Sequence, residues 1–379
     1  MEPNFELPDD ISPTGPWRSA PPMTDDPALP ALEILRDTGL ADAFPELRLG
    51  DIPPDLRLCN YVPGSRATFE IRAGDRRFAV KMYVDDPSSE VQLYRKLARL
   101  GLSKDFGARA PRLLAWDPEL KMIVTSWLDG PTVAHLVKEG HGARGGTLAA
   151  QWLWHATRRR VRLGPPRGRT HALYQAGLAA GALSAVDSNL GAAAKAVAKV
   201  LVQTKIREQS PNLVHGTLYA RHIFDLGDGP GVIDWQQFGQ GPVEVDAGMF
   251  LATISRIGLR QESVAREATR AKEVFLEKTE HLLDLHALSW YWAAGLLHRA
   301  ASGLRTGRKE KPSADAEALV EEAAAHARAA ERDRSGDAKE PRASLVRIRS
   351  LFHRTVALDP ANPGDVVSPA PESSGDRRD

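Results

Sequence analysis

The stretch VHGTLYARHIFDLGDGPGVIDWQQFGQ (214–240) decides the reading of this chain. A polar loop, HGTLYARH, leads into IFDL. The turn GDGP then returns the chain through GVID, an apolar strand that ends on Asp234. Apolar residues on both sides of a Gly-Asp-Gly-Pro turn are the signature of a short hairpin. A carboxylate at the end of such a strand is presented at the edge of the sheet rather than within it.

The residues upstream of the hairpin read differently from those around it. LRLCNYV, ATFEIR and RRFAVKMYV (55–84), separated by PGS (63–65) and AGD (73–75), predict three antiparallel strands. PSSEVQLYRKLARLGL follows with Val91, Tyr94, Leu97 and Leu100 at helical spacing. RLLAWD and KMIVTSWLD add two strands. Beyond Gly130 the apolar period is helical, in TVAHLVKEG, TLAAQWLWHATRRRVRL, THALYQAGLAAGAL, NLGAAAKAVAKVLVQTKI and VDAGMFLATISRIG, and then over 262–282, 283–304 and 313–332. The expected architecture is α+β: a small antiparallel β lobe and a large helical lobe that contains one hairpin. The expected organisation is a disordered Pro-rich arm over 1–30, with a docking element around Trp17, and a β lobe with one helix and a hinge over 31–130. The helical lobe covers 131–332, and 333–379 holds a polar linker, a short helix and a disordered tail.

Composition narrows the class. The 379 residues carry a formal charge of +1, so no basic field points to nucleic acid. No apolar run reaches membrane-spanning length, and the acidic, Pro-rich start is unlike a signal peptide. The single cysteine, Cys59, excludes an internal disulfide, and its apolar strand context predicts a buried, inert thiol. A cytoplasmic location is the expectation.

Three side chains form a pattern that carries chemistry. Lys81 stands in AVKMY with Val80 and Met82 on the opposite face of the pleat. Glu90 lies in the first turn of the next helix, within reach of an ion pair with Lys81. Asp234 closes the hairpin. Phosphoryl transfer asks a protein for a cation on the phosphates, a carboxylate-held metal ion and a group that orients the acceptor hydroxyl.

AVKMY with Glu90, IVTSWLDG (123–130), HGTLYARHIF (215–224), GVIDWQQFGQGP (231–242) and EVDAGMFLA (244–252), in that order, resemble the aminoglycoside phosphotransferase/choline kinase family of protein-kinase-like folds. The resemblance spans roughly residues 55–300 and implies a two-lobed kinase-like fold that binds ATP and Mg²⁺ (or Mn²⁺). It implies that Lys81 pairs with the α/β-phosphates, oriented by Glu90, and that the Ser126–Leu128 backbone holds the adenine. Ser65, in the short VPGSRATF loop, would join the nucleotide site. Asp234 would bind the metal, Asp246 would brace the loop, and His215 would be the structural histidine at its head. The family pattern H-G-D-x-x-x-x-N is broken twice: Thr217 stands at the catalytic Asp and His222 at the metal-binding Asn. Threonine cannot take a proton near neutral pH, and imidazole suits Mn²⁺ or Zn²⁺ better than Mg²⁺. General base catalysis is worth roughly 10²–10⁴-fold, so the loop predicts a weakly active enzyme or a pseudokinase. The alternatives are an active small-molecule kinase of unconventional mechanism, and an interaction protein that uses the helical lobe and binds no nucleotide. Expected partners are a nucleotide and a small-molecule acceptor or protein, with no nucleic acid and no membrane.

Several features have plain readings. Asp225 and Asp228 belong to the hairpin and its turn, which argues against either replacing the missing carboxylate. GHGARG (140–145) lacks a βαβ context and reads as a flexible interhelix loop. The arginine-dense 158–169 reads as a solvated helix end. Trp290, Tyr291 and Trp292 fit either a core helix or an acceptor pocket.

Overall fold

The computed structural model describes residues 26–37, 39–49, 54–260, 262–304 and 310–333. Trp17, the far C-terminal helix and both tails lie outside the described residues. The chain enters the first lobe earlier than its Pro-rich composition suggests. Leu29 is buried, and Asp26 accepts hydrogen bonds from Tyr61 Oη (2.9 Å) and the Gly64 amide (2.8 Å), which ties down the first hairpin turn. Two short helices precede the sheet, α1 (Ala31–Asp37) and α2 (Gly39–Ala43).

The sheet comprises β1 (Asp55–Val62), β2 (Arg66–Ala73), β3 (Arg76–Tyr83), β4 (Leu113–Asp117) and β5 (Met122–Ser126), in the order β1-β2-β3-β5-β4 with every pair antiparallel. Helix α3 (Ser88–Arg99) joins β3 to β4. The pleat sorts the side chains by face. Phe69, Ile71, Phe78, Val80, Met82 and Val124 pack with Leu32, Leu35, Leu40 and Phe44 under the first two helices. Lys81 therefore points away from that core, level with Thr68 and Ile123 across the ladder. Glu70 is fully buried and is neutralised by Arg57 and Arg77, and Arg77 also pairs with Asp129 beyond β5.

The second lobe runs α4 (Val133–Lys138), α5 (Gly142–Thr157), α6 (Arg169–Val186), α7 (Ser188–Gln203), β6 (Asn212–Val214), β7 (Ile223–Asp225), β8 (Pro230–Val232), β9 (Gly239–Gly241), α8 (Glu244–Gly258), α9 (Glu262–Thr279), α10 (Leu285–Ala300) and α11 (Ala316–Asp333). The expected hairpin is β7–β8, and a second pair, β6–β9, braces the loop on its other side. Helix α10 is buried all round, with Trp290 and Trp292 fully inside. Buried polar contacts dock the last helix: Ser255 Oγ donates to Glu322 Oε1 (2.6 Å), and Arg256 pairs with Asp315 (2.6 Å). No helix among the described residues is long and apolar enough to cross a membrane.

Two local expectations are corrected. GHGARG is not a flexible loop, because α5 starts at Gly142 and its glycines are sites of close packing. A methyl on Gly146 would collide with the Ala271 carbonyl of α9, and one on Gly142 with the Glu267 carbonyl. The arginine-dense stretch begins as a solvated helix end, with Arg158 the C-cap of α5 and Arg158, Arg160 and Arg162 exposed, but its later part packs. α5 stops at Thr157, Arg159 Nε donates to the Leu100 carbonyl (3.3 Å), and Arg167 is buried with its amide on Gln240 O (2.7 Å). Gly146→Val should force α5 off α9 and lower stability by about 1–3 kcal/mol, read as a reduced urea midpoint. An unchanged midpoint would contradict the close packing.

Candidate active site

The site lies where the lower face of the sheet meets the loop between β6 and β7. Lys81 Nζ is 3.0 Å from Glu90 Oε1 and 3.7 Å from Asp234 Oδ1, with Lys81 and Glu90 both buried. Glu90 also accepts from Tyr83 Oη (2.7 Å) and Tyr94 Oη (3.0 Å), so three donors converge on its carboxylate. Burial pushes the Tyr83 and Tyr94 hydroxyls well up, and both stay protonated as donors. Burial would also raise Asp234, but the positive charge of Lys81, with Arg66 behind it, holds its carboxyl well below the usual range. Asp234 sits in the left-handed region (φ 67, ψ 62), where non-glycine residues are uncommon and aspartate is enriched. That turn of the backbone aims its carboxylate back at Lys81.

The loop is held by its frame. Asp246, at the start of α8, accepts the amides of His215 (2.7 Å) and Gly216 (2.9 Å). Gly216 has φ +81, and a side chain there would collide with the Gln237 carbonyl. His215 donates from Nε2 to the Ile233 carbonyl (2.8 Å), linking the loop head to the residue before Asp234. Burial lowers the imidazole to about 4, so His215 is neutral at ordinary pH and serves structure.

Thr217 and His222 occupy the two exchanged positions. Thr217 is buried, faces the cavity on the far side of the loop, and its carbonyl accepts the His222 Nδ1 proton (2.9 Å). A carbonyl only accepts, so that bond fixes the proton on Nδ1. Nε2 then carries the lone pair; it is buried without a hydrogen-bond partner, 3.5 Å from Asp234 Oδ2. Burial and the neighbouring Arg221 hold the His222 imidazole well below its ordinary value, hence neutral.

The cleft between the lobes is a cavity of about 350 Å³ that Lys81, Ser126, Leu128 and Asp234 all line. Ser65 lines an adjoining cavity with Tyr83, Glu90 and Gln236. Cys59 also lines the cleft. It is half-buried rather than buried, and desolvation pushes its thiol up to about 12, so it stays protonated. Asp225 is clamped by both ends of the Arg144 guanidinium (2.7 and 2.6 Å), and Asp228 by Arg109 and the Gly107 amide. Neither carboxylate is available to the loop. Arg66 and Asp26 were missed from sequence: Arg66 bears on Asp234 from the start of β2, and Asp26 lies in a proline-rich segment with no periodicity.

The family model described as phosphotransferase enzyme family (APH) matches residues 63–277. The chain belongs to that family. Among solved structures, a thermostable mutant of aminoglycoside phosphotransferase APH(4)-Ia, in ternary complex with ADP and hygromycin B, aligns at TM-score 0.52 and 14% identity. That alignment covers 78% of this chain and 99% of the other. Choline kinase LicA from Streptococcus pneumoniae aligns at 0.51 and 11%, covering 76% and 96%. Plasmodium vivax ethanolamine kinase aligns at 0.50 and 10%, covering 78% and 87%. At these identities the likeness establishes the two-lobed kinase-like fold alone. A search of curated proteins returns no match.

Asp246 gives a pH signature. Burial pushes its carboxyl up to about 7 against the two amide hydrogen bonds, which favour the charged form. A carboxyl raised above its unfolded value contributes stability that is complete in acid and lost as pH climbs towards 7. Asp246→Asn, which sets an NH₂ against one of the amides, should cost about 1–3 kcal/mol near pH 4 and less at neutral pH. Chemical denaturation across that range should show a flatter slope in the variant; parallel curves would refute the assignment.

Proposed function

We propose that the cleft binds ATP with a divalent metal and that the chain is a weakly active phosphotransferase or a pseudokinase. The observation that carries this reading is the convergence of Lys81, Glu90 and Asp234 on one cleft, beside a loop whose acceptor-side residue is Thr217. Lys81 would hold the α/β-phosphates, with Glu90 and the two tyrosines fixing its position. Ser126 and Leu128 would present backbone groups to the base, and Ser65 would cover the phosphates. The Ser126 amide already donates to the Arg112 carbonyl (2.9 Å), which leaves its carbonyl and the Leu128 backbone for that task.

The donor set bears on the metal. No cluster of three or more His, Cys, Asp or Glu side chains suited to a metal exists among the described residues. Asp234 and His222 offer one carboxylate oxygen and one unprotonated nitrogen, 3.5 Å apart. A nitrogen–oxygen pair completed by phosphate oxygens fits Mn²⁺ better than Mg²⁺, which favours oxygen throughout. Bound there, the ion would neutralise charge on the phosphates. The cost of the loop exchanges falls on proton removal and on the second metal ligand, while binding groups are intact. The arrangement therefore supports binding ahead of turnover.

ATP with Mn²⁺ should raise the melting temperature by about 5 °C at saturating concentration, more than ATP with Mg²⁺, and Lys81→Ala should abolish the rise. No ligand-dependent stabilisation would sink the reading. In a hydrolysis assay, the double variant Thr217→Asp, His222→Asn should turn over ATP roughly 10²-fold faster than wild type. Fast wild-type turnover that Asp234→Ala removes would overturn the low-activity part.

A further inference from the structure

A groove of about 600 Å³ lies between the two lobes and shares no lining residue with the cleft. One wall is the outer face of α3, with Arg95, Lys96 and Arg99 within one turn of each other. The other wall is Arg160, Arg162 and Leu163, in the segment that follows α5. No carboxylate lines the groove. Lys96 is half-buried and the four arginines are exposed. Among the described residues, none of these five cationic side chains makes a hydrogen bond, an ion pair or a ring contact. Elsewhere arginines are committed: Arg77 to Glu70, Arg109 to Asp228, Arg144 to Asp225 and Arg256 to Asp315.

Part of this charge has a plain explanation. Lys96 and Arg99 lie in the last turn of α3, where the helix dipole favours a cation by about 0.3–1 kcal/mol. Arg95 is four residues before Arg99, and like charges at that spacing repel by about 0.2–0.5 kcal/mol. The dipole gives no reason for Arg160 and Arg162 to line the same groove from the other lobe. Those two sit on a fixed stretch of backbone. Arg159 Nε donates to the Leu100 carbonyl (3.3 Å), Val161 is buried, and Gln240 Nε2 donates to the Leu163 carbonyl (2.6 Å). The two charged walls are thus held against each other by contacts that do not involve the five cations.

A concave surface of unpaired cations suits an anion, and charge density selects the kind. Arginine forks match carboxylate and phosphate alike. A carboxylate brings one charge and a phosphate group about 1.5–2, so about three phosphates do what five carboxylates would in the same space. The whole chain carries only +1, which gives no field beyond the groove to hold a nucleic acid or a membrane.

We propose that this groove binds a small molecule carrying several phosphate groups, which spans α3 and the 160–163 segment. Both walls lead to the cleft. α3 carries Glu90 in its first turn, and Gln240, which holds Leu163, belongs to β9 beside the loop. A ligand across the groove therefore ties the helix that positions Lys81 to the helical lobe. The proposal stands whether or not the cleft holds ATP.

The test is calorimetry on the full chain at about 0.15 M salt, with inositol hexakisphosphate as the probe. Inorganic phosphate, citrate, a short DNA duplex and phosphatidylserine vesicles are the comparisons. The probe is expected to bind with a Kd of about 100 μM or tighter, and roughly tenfold or more tighter than citrate or phosphate. Arg95→Gln with Arg160→Gln, one exposed change on each wall, should weaken it roughly tenfold or more. Without ligand, that double variant should melt no lower than wild type, because it removes repulsion and no bond. Lys81→Ala should leave binding of the probe unchanged. A weaker Kd, or citrate bound as tightly, overturns the proposal. Binding indifferent to the double variant, or lost in Lys81→Ala, overturns it by placing the probe elsewhere. A lower melting temperature in the double variant overturns it by showing the arginines to be already engaged. DNA or vesicles bound as tightly as the probe, and lost in the double variant, overturn the small-molecule assignment.

Discussion

The buried chain of charge from Glu90 through Lys81 to Asp234 is the constraint on which the rest of the structure depends. Burying such groups costs several kcal/mol per ion and is offset only by good geometry and full hydrogen bonding. Tyr83 and Tyr94 supply that bonding to Glu90 from β3 and α3, so sheet and helix are locked at one distance. Asp234 comes from the other lobe, and its left-handed backbone is held by the His215–Ile233 hydrogen bond just before it. One ionic chain therefore sets the sheet face, the position of α3 and the separation of the lobes. A protein stabilised by its core alone would gain as much from apolar residues at these positions.

The loop shows a different economy. Its frame is complete: Asp246 takes two amides, Gly216 fits under Gln237, and the His215 ring lies tilted against Trp235 at 4.8 Å. Thr217 and His222, the two departures from the family pattern, sit inside that frame. Frame and working groups separate because they draw on different interactions. The frame is backbone hydrogen bonding that any sequence with His, Gly and the distal Asp reproduces. Thr217 and His222 are buried in the lobe, with His222 on the Thr217 carbonyl, so the frame accommodates both.

Much of the site was legible because it depends on short periods. The pleat of AVKMY placed Lys81 opposite Val80 and Met82, and one helical turn placed Glu90 beside it. Asp234 was legible as a strand end after a turn. What escaped depended on long-range packing. Gly142 and Gly146 look like loop glycines until α9 is laid against them, and only its carbonyls explain them. Helices α1 and α2 were missed because they are too short to show a period, although Leu32 and Leu35 cap the sheet core. Asp26 and Arg66 act through partners 38 residues away in the chain or across the cleft, beyond any local pattern.

His222 joins the frame of the loop to the charge of the cleft. An unsatisfied buried nitrogen costs about 1–3 kcal/mol, and here a lone pair faces a carboxylate that the surrounding cations keep ionised. Two electron-rich atoms 3.5 Å apart repel unless a cation comes between them or against both. Lys81 serves one oxygen of Asp234, but the oxygen that faces His222 is the other. The fold holds His222 through the Thr217 carbonyl and the Tyr219 ring at 5.0 Å. A ligand cation relieves that repulsion at no structural cost. On the proposed reading, histidine at this position would shift the preference of the cleft towards a metal that accepts nitrogen.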